Sequence, residues 1–229
     1  MSNQTRSPRE RPAKRALSRE WIVEETLRIL RTEGLEKVTM RRVAQALETG
    51  PASLYVYVAN TAELHAAVLD ELLASLDARA AGDWRRRVER LLGQYSEVLF
   101  AHPGLARSAL VLRPAGPNAV RLYDLLLGLL LEGGMQAGQA AWGVDLLLQH
   151  VTATAAEHSA PTPSEVHAPA DEDGGLEALS AALRRADPSV TPHVAAHADA
   201  LMCGVPAQRD RWAITALLAG IAATAIPSG

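Results

Sequence analysis

The chain has 229 residues, 48% hydrophobic, 21% charged and only 4% aromatic, a balance that excludes a disordered polymer and leaves room for one large domain or a small one joined to a larger. Its net charge of −3 hides a division: residues 1–60 carry 11 Lys and Arg against 7 Asp and Glu, and the remainder carries 12 against 19. A basic head on an acidic body points to a polyanion, with nucleic acid the commonest, as the partner of the head.

The near absence of alternating β-branched runs predicts an all-α protein with a Leu, Ala and Val core. Cys203 is the only cysteine, so no intrachain disulfide can form and a reduced, cytoplasmic setting is expected. The first twenty residues lack the apolar segment of a secretory signal. The longest apolar run, starting at Trp212, is too short to span a membrane and reads as a buried helix.

Residues 1–17, polar and basic with Pro8 and Pro12, are expected to form a flexible arm. Ser18 is placed to cap a first helix that Gly34 ends near Glu33. Ile22, Val23, Thr26, Leu27, Ile29 and Leu30 share one face of it. Thr39 caps a second, short helix over Met40–Leu47, with Met40, Val43, Ala44 and Leu47 on the inner face. Gly50 allows a tight turn and Pro51 suits a first helical turn, so a third helix is predicted over Pro51–Val58. Asn60 followed by Glu63 begins a fourth, long helix reaching about Asp77.

The body is predicted to be helical throughout: 83–101, 105–112, 118–134, 135–159, 176–185, 194–202 and 207–225. A loop is expected across residues 160–175, whose composition is rich in Pro, Ala and acidic residues. The chain thus divides into an arm (1–17), a head of short helices (18–60) and a larger helical body (61–229).

Two helices joined by a short Gly-containing turn form the arrangement whose second helix enters the DNA major groove. On the third helix Leu54 and Val58 point inward, while Ala52, Ser53 and Val56 make a slim outer ridge flanked by Tyr55 and Tyr57. Both phenols are placed to bond phosphates. Ser53 is placed for a base edge or phosphate, and Ala52 and Val56 for thymine methyls. Arg41 is the candidate for a guanine edge or a phosphate, and Thr39 opens a helix whose N–H groups suit a phosphate. Met40, Arg42, Pro51 and Thr61 complete the candidate interface.

The run from Val38 to Leu73 resembles the DNA-binding domain of tetracycline-repressor-like (TetR) regulators, over about residues 18–70. Gly34, Thr39, Arg41 or Arg42, Val43, Ala44, Leu47, Leu54-Tyr55, Tyr57, Val58 and Leu64 carry the likeness. Two positions depart from it: the family commonly has Gly where this chain has Glu48, and often Lys where it has Thr61. The resemblance implies a homodimer that binds double-stranded DNA, acts by default as a repressor, and holds a small-molecule pocket in its larger domain.

Gly138, Ala141, Gly143, Ala213, Ala216 and Gly220 would let helices approach closely, which supports a four-helix dimer interface. For the pocket, the polar-tipped or polarisable side chains of the body are the candidates: Trp84, Tyr95, Phe100, Trp142, His150, Met202 and Trp212. They suit a hydrophobic or amphipathic effector. Movement of the fourth helix would link pocket to head.

Other function classes leave weaker traces. His193 and His197 have the spacing of two metal ligands on a helix, with Asp199 and Cys203 near, so a metal-responsive regulator is an alternative. Val194 stands where a zinc protease would need its Glu. No phosphate loop or Gly-x-Ser-x-Gly elbow occurs, so neither enzyme activity nor a cofactor is expected. A helical interaction module without DNA binding is the remaining alternative.

Overall fold

The computed structural model describes residues 15–77, 79, 81–158 and 172–227. The arm expected over 1–17 lies outside the described residues as far as residue 14, and so does the expected loop up to residue 171. The described residues contain helices and turns but no strand.

Helix α1 (Arg19–Glu33) starts where the Ser18 hydroxyl accepts from the Trp21 N–H and stops at Gly34, whose φ of 87° suits a residue without Cβ. Ile22, Val23, Thr26, Ile29 and Leu30 are buried along its inner stripe. A 3-10 turn (Leu35–Lys37) leads to α2 (Met40–Ala46), capped by Thr39 through the Arg42 N–H. Leu47 closes α2, and Glu48 follows at φ 50°, the left-handed region. That conformation is the physical reason a Gly suits this position.

The third helix is shorter than expected. Regular α-helix α3 covers only Pro51–Leu54, and residues 55–57 continue as turns, although the Val58 N–H still bonds the Leu54 carbonyl at 3.0 Å. Leu54 and Val58 are fully buried and fix this segment to α1 and α2.

Helix α4 (Thr61–Leu73) begins at Asn60, whose side chain accepts from the Glu63 N–H, while the Glu63 carboxylate accepts from the Ala59 N–H at 2.7 Å. It ends four residues before the expected Asp77. It packs on α1 at one side and on α6 and α7 at the other, so one helix belongs to both halves of the molecule.

The body comprises α5 (Trp84–Ala101), α6 (Pro103–Val111), α7 (Pro117–Glu132), α8 (Ala137–Glu157), α9 (Glu172–Arg184), α10 (Pro192–Met202) and α11 (Pro206–Ala223). Asp83 caps α5 through the Arg86 N–H. Helix α8 is the axis of the body, in contact with α5, α6, α7 and α11. Helices α9 and α10 pack chiefly on each other, and α10 buries none of its residues.

The small residues of α8 serve the interior more than expected. A Cβ added at Gly143 would stand 2.9 Å from Ile221, and one at Gly138 would stand 2.2 Å from Ile226. Those two glycines let the C-terminal segment lie close on α8 within one chain. Gly220, with open space around it, faces away.

Candidate nucleic-acid interface and internal cavity

The outer ridge of the α3 segment is solvent-facing. Pro51, Ala52 and Ser53 are exposed, Val56 is 81% exposed, and Tyr55 is 55% exposed. An apolar side chain that open to water makes no contribution to the fold of the free chain. Thr39 and Arg41 are exposed beside it, and Arg41 makes no bond to any described residue. Thr61 is half-buried at the start of α4.

Three of the expected contact residues are committed elsewhere. Met40 is buried, because it belongs to the inner stripe of α2 with Val43 and Ala44, so it does not face a groove. Arg42 forms two hydrogen bonds with the Glu33 carboxylate, Nε–Oε2 at 2.9 Å and Nη2–Oε1 at 2.5 Å, tying α2 to the end of α1. That hydrogen-bonded pairing holds the Glu33 carboxyl below its ordinary range. Tyr57 donates its hydroxyl proton to the Leu17 carbonyl at 2.9 Å, fastening the segment before α1 to the α3 segment. The symmetrical phenol grip expected from the sequence is therefore one-sided, with Tyr55 as the open phenol. A wheel drawn on one helix cannot show that Leu17 and Glu33 lie beside it.

The body contains a cavity of about 100 Å³ between α4, α5, α6, α7 and α8. Leu73 of α4, Ala109 of α6, Leu122 of α7 and Leu148 of α8 supply apolar wall, and Tyr95 and Thr152 supply a buried polar pair. Their hydroxyl oxygens are 2.8 Å apart, and burial raises the Tyr95 phenol above its ordinary range.

Of the seven pocket candidates, only Tyr95 lines this cavity. Trp84 is half-buried against the C-terminal end of α7, where a Cβ on Gly133 would meet its ring at 2.6 Å. Phe100 is exposed, and Met202 lies on the α9–α10 pair away from the cavity. His150 faces Asp210 of α11 at 3.6 Å. Trp142 and Trp212 are 61% and 74% exposed on α8 and α11. The sequence singled out conspicuous side chains, whereas the cavity wall is mostly leucine, alanine and loop residues whose convergence depends on the fold.

A second cleft of about 400 Å³ separates α1 and α4 from the α6–α7 connection. Asp70 lies on its α4 wall. Sequence reasoning missed this residue: it is buried, and its carboxylate accepts from the Ala119 N–H at 2.7 Å and the Asn118 N–H at 3.4 Å. These are orphan donors of the first turn of α7, so a carboxylate on one helix caps another. Gly116 makes this possible, since a Cβ there would stand 2.2 Å from Asp70 Oδ2. An Asp on the otherwise apolar side of α4 was the available signal.

His65, also on α4, joins a different pair of segments, the residue before the α2 cap and α6. Its Nε2 lies 3.3 Å from the Val38 carbonyl, which can only accept, so that nitrogen carries the proton. Nδ1 then accepts from the Ser108 hydroxyl of α6 at 2.8 Å. Desolvation lowers the pKa of this imidazole.

The metal alternative loses its geometric basis. The backbone at His197 is non-helical, with φ −130° and ψ 18°, so His193 and His197 are not one regular turn apart. Asp199 lies 3.7 Å from Arg184, and no cluster of three metal-ligating side chains occurs among the described residues. Cys203 is exposed rather than a buried thiol. No helix among the described residues is long and apolar enough to cross a membrane.

Among the described residues, a helix-turn-helix head joined to a cavity-bearing helical body has the organisation of a DNA-binding regulator. Residues 22–68 match the family described as bacterial regulatory proteins, tetR family, and residues 77–202 match the tetracyclin repressor-like C-terminal domain. The chain belongs to the tetR family. It is 32% identical over 128 residues to the transcriptional repressor DrrR1 of Streptomyces coeruleorubidus, a match covering 55% of this chain and 47% of that protein. An HTH-type transcriptional regulator of Saccharopolyspora erythraea is 27% identical over 212 residues, covering 91% of this chain and 86% of that one. Among solved structures, the Streptomyces protein SCO7704 is 50% identical over 94% of this chain and all of that chain, with a TM-score of 0.82. ActR of Streptomyces coelicolor, solved with actinorhodin, is 31% identical over 90% of this chain and 96% of that one, with a TM-score of 0.73.

Proposed function

We propose that this chain is a homodimeric transcriptional repressor, working in the cytoplasm, that binds a near-palindromic operator and is released by a small amphipathic effector. Residues 18–60 read double-stranded DNA, and residues 61–229 hold the effector and the partner protomer. Ala52, Ser53 and Val56 enter the major groove, with Tyr55, Arg41, Thr39, Pro51 and Thr61 at its walls. Trp142 and Leu146 of α8, with Trp212 and Ala216 of α11, form the exposed apolar face that meets its copy across a twofold axis. ActR, bound to actinorhodin, sets the precedent for an effector in this fold.

The observation that carries the effector mechanism is the position of α4. A pocket for a drug-sized ligand needs roughly 300 Å³ or more, and the cavity offers about 100 Å³. A ligand entering this cavity therefore pushes its walls apart, and Leu73 is one of them. Asp70, three residues earlier on the same helix, holds the start of α7, and the N-terminal end of that helix joins the head. Displacing α4 changes the separation of the two reading segments and weakens operator binding by a coupling of about 1–3 kcal/mol.

The test is fluorescence anisotropy of the full-length protein on a site mapped by footprinting, over a range of salt concentrations. Affinity should fall steeply with salt, and Tyr55→Phe should weaken binding severalfold more than Tyr57→Phe. A folded dimer that binds no genomic fragment even at low salt would overturn the proposal in favour of a helical interaction module.

A further inference from the structure

Arg113, in the connection between α6 and α7, is the only charged side chain among the described residues lining the cavity. It also lines the second cleft beside Asp70 and Gly116, so one residue faces both spaces. Its guanidinium is anchored through a single nitrogen. Nη1 donates to the Asp145 carboxylate of α8 and lies 3.5 Å from the Tyr123 hydroxyl, while Nε and Nη2 bond no described residue. Asp145 is not part of the cavity wall. Both members of the pair are about half exposed, and ion pairs of that exposure contribute little and exchange readily.

We propose that the effector is an amphipathic anion whose acidic group is taken by Arg113 in exchange for Asp145, while its apolar body enters between Leu73, Leu122 and Leu148. The inference rests on the effector reading given above and names the chemical class. The apolar walls with one cation at their rim repel a cationic ligand and leave a neutral one without its strongest partner. A carboxylate or sulfonate can displace the Asp145 carboxylate from Nη1 and bond Nη2 alongside it, and an acidic phenol can take one of these donors. Capture also moves the connection that carries Gly116, which lies directly against Asp70 of α4. Binding at Arg113 thus acts on the same helix as filling the cavity.

Two fluorescent probes with the same aromatic body separate the charge from the apolar contribution: anilinonaphthalene sulfonate and neutral phenylnaphthylamine. Titrated into the full-length dimer, the sulfonate should bind about tenfold more tightly than the neutral probe, the strength of a charge-assisted hydrogen bond. Arg113→Gln should remove that preference while leaving the neutral probe's affinity unchanged, and Asp145→Asn should strengthen sulfonate binding by releasing the competing carboxylate. Equal affinities in the unaltered protein, or a preference that survives Arg113→Gln, would overturn the assignment. Operator anisotropy in the presence of the sulfonate reports separately on release. Arg113-dependent probe binding with unchanged operator affinity upholds the anion site and counts against the release mechanism.

Discussion

Head and body use their polar side chains in opposite ways. In the head, the groups placed for recognition are open to water: Arg41, Ser53 and Tyr55 are exposed on short elements. In the body and at its junction with the head, the telling polar groups are buried or half-buried and each answers to a partner far along the chain. Asp70 meets Ala119, Tyr95 meets Thr152, and His65 joins Val38 to Ser108. Exposed groups on a fixed frame can read a surface without the frame changing. Buried groups bridging separate helices make an arrangement that must be broken or kept as a whole, which is what a switch requires.

The largest expected effect breaks the body side of this contrast. Gly116→Ala puts a methyl 2.2 Å from Asp70 Oδ2, so the carboxylate must leave the start of α7 or the connection must shift. The expected loss is about 2–3 kcal/mol in urea unfolding. In an Asp70→Ala background the same substitution should cost far less, and the double-mutant cycle measures the difference. Equal costs in both backgrounds would show that Asp70 and Gly116 do not act together.

The head side is sharpened by two neighbouring arginines. Arg41→Ala should weaken operator binding about tenfold, whereas Arg42→Ala, whose guanidinium is held by Glu33, should change it less than about threefold. Anisotropy on the mapped operator distinguishes them, and the reverse order would reassign the groove contact.

A smaller effect is expected from pH at the junction. Burial keeps the folded-state pKa of His65 below the ordinary 6.5 of an exposed imidazole. The unfolded chain therefore takes up its proton first as pH falls. The stability contributed by neutral His65 is complete above pH 6.5 and is lost as pH drops toward the folded-state value. His65→Gln should flatten the fall in Tm between neutral and mildly acidic buffer, and an unchanged slope would place the sensitivity elsewhere. The smallest effect belongs to Glu48→Gly, which relieves a left-handed backbone at φ 50° but also removes the interaction of the Glu48 side chain, so the net change in urea unfolding should stay within about 1 kcal/mol.

The elements of the head were legible because their signals are local. Ser18, Thr39 and Asn60 cap helices at the positions their residue types dictate, Gly34 ends α1, and the apolar stripe of α1 follows one helical period. Even there the sequence overextended α3 by four residues and α4 by a similar length, since helix ends depend on what packs against them. It also left Arg42 and Tyr57 open, because Glu33 and Leu17 reach them across space.

The family, the all-α fold and the exposed reading segment were determined by residue type and spacing alone. The tertiary structure decided which side chains make the cavity, and with it the roles of Asp70, Gly116 and Arg113. Those residues come from α4 and from a connection more than forty positions away, and neither carries a local pattern that marks the other. Periodicity reports which face of a helix turns inward, whereas a buried cap or a cavity wall exists only once several helices have met.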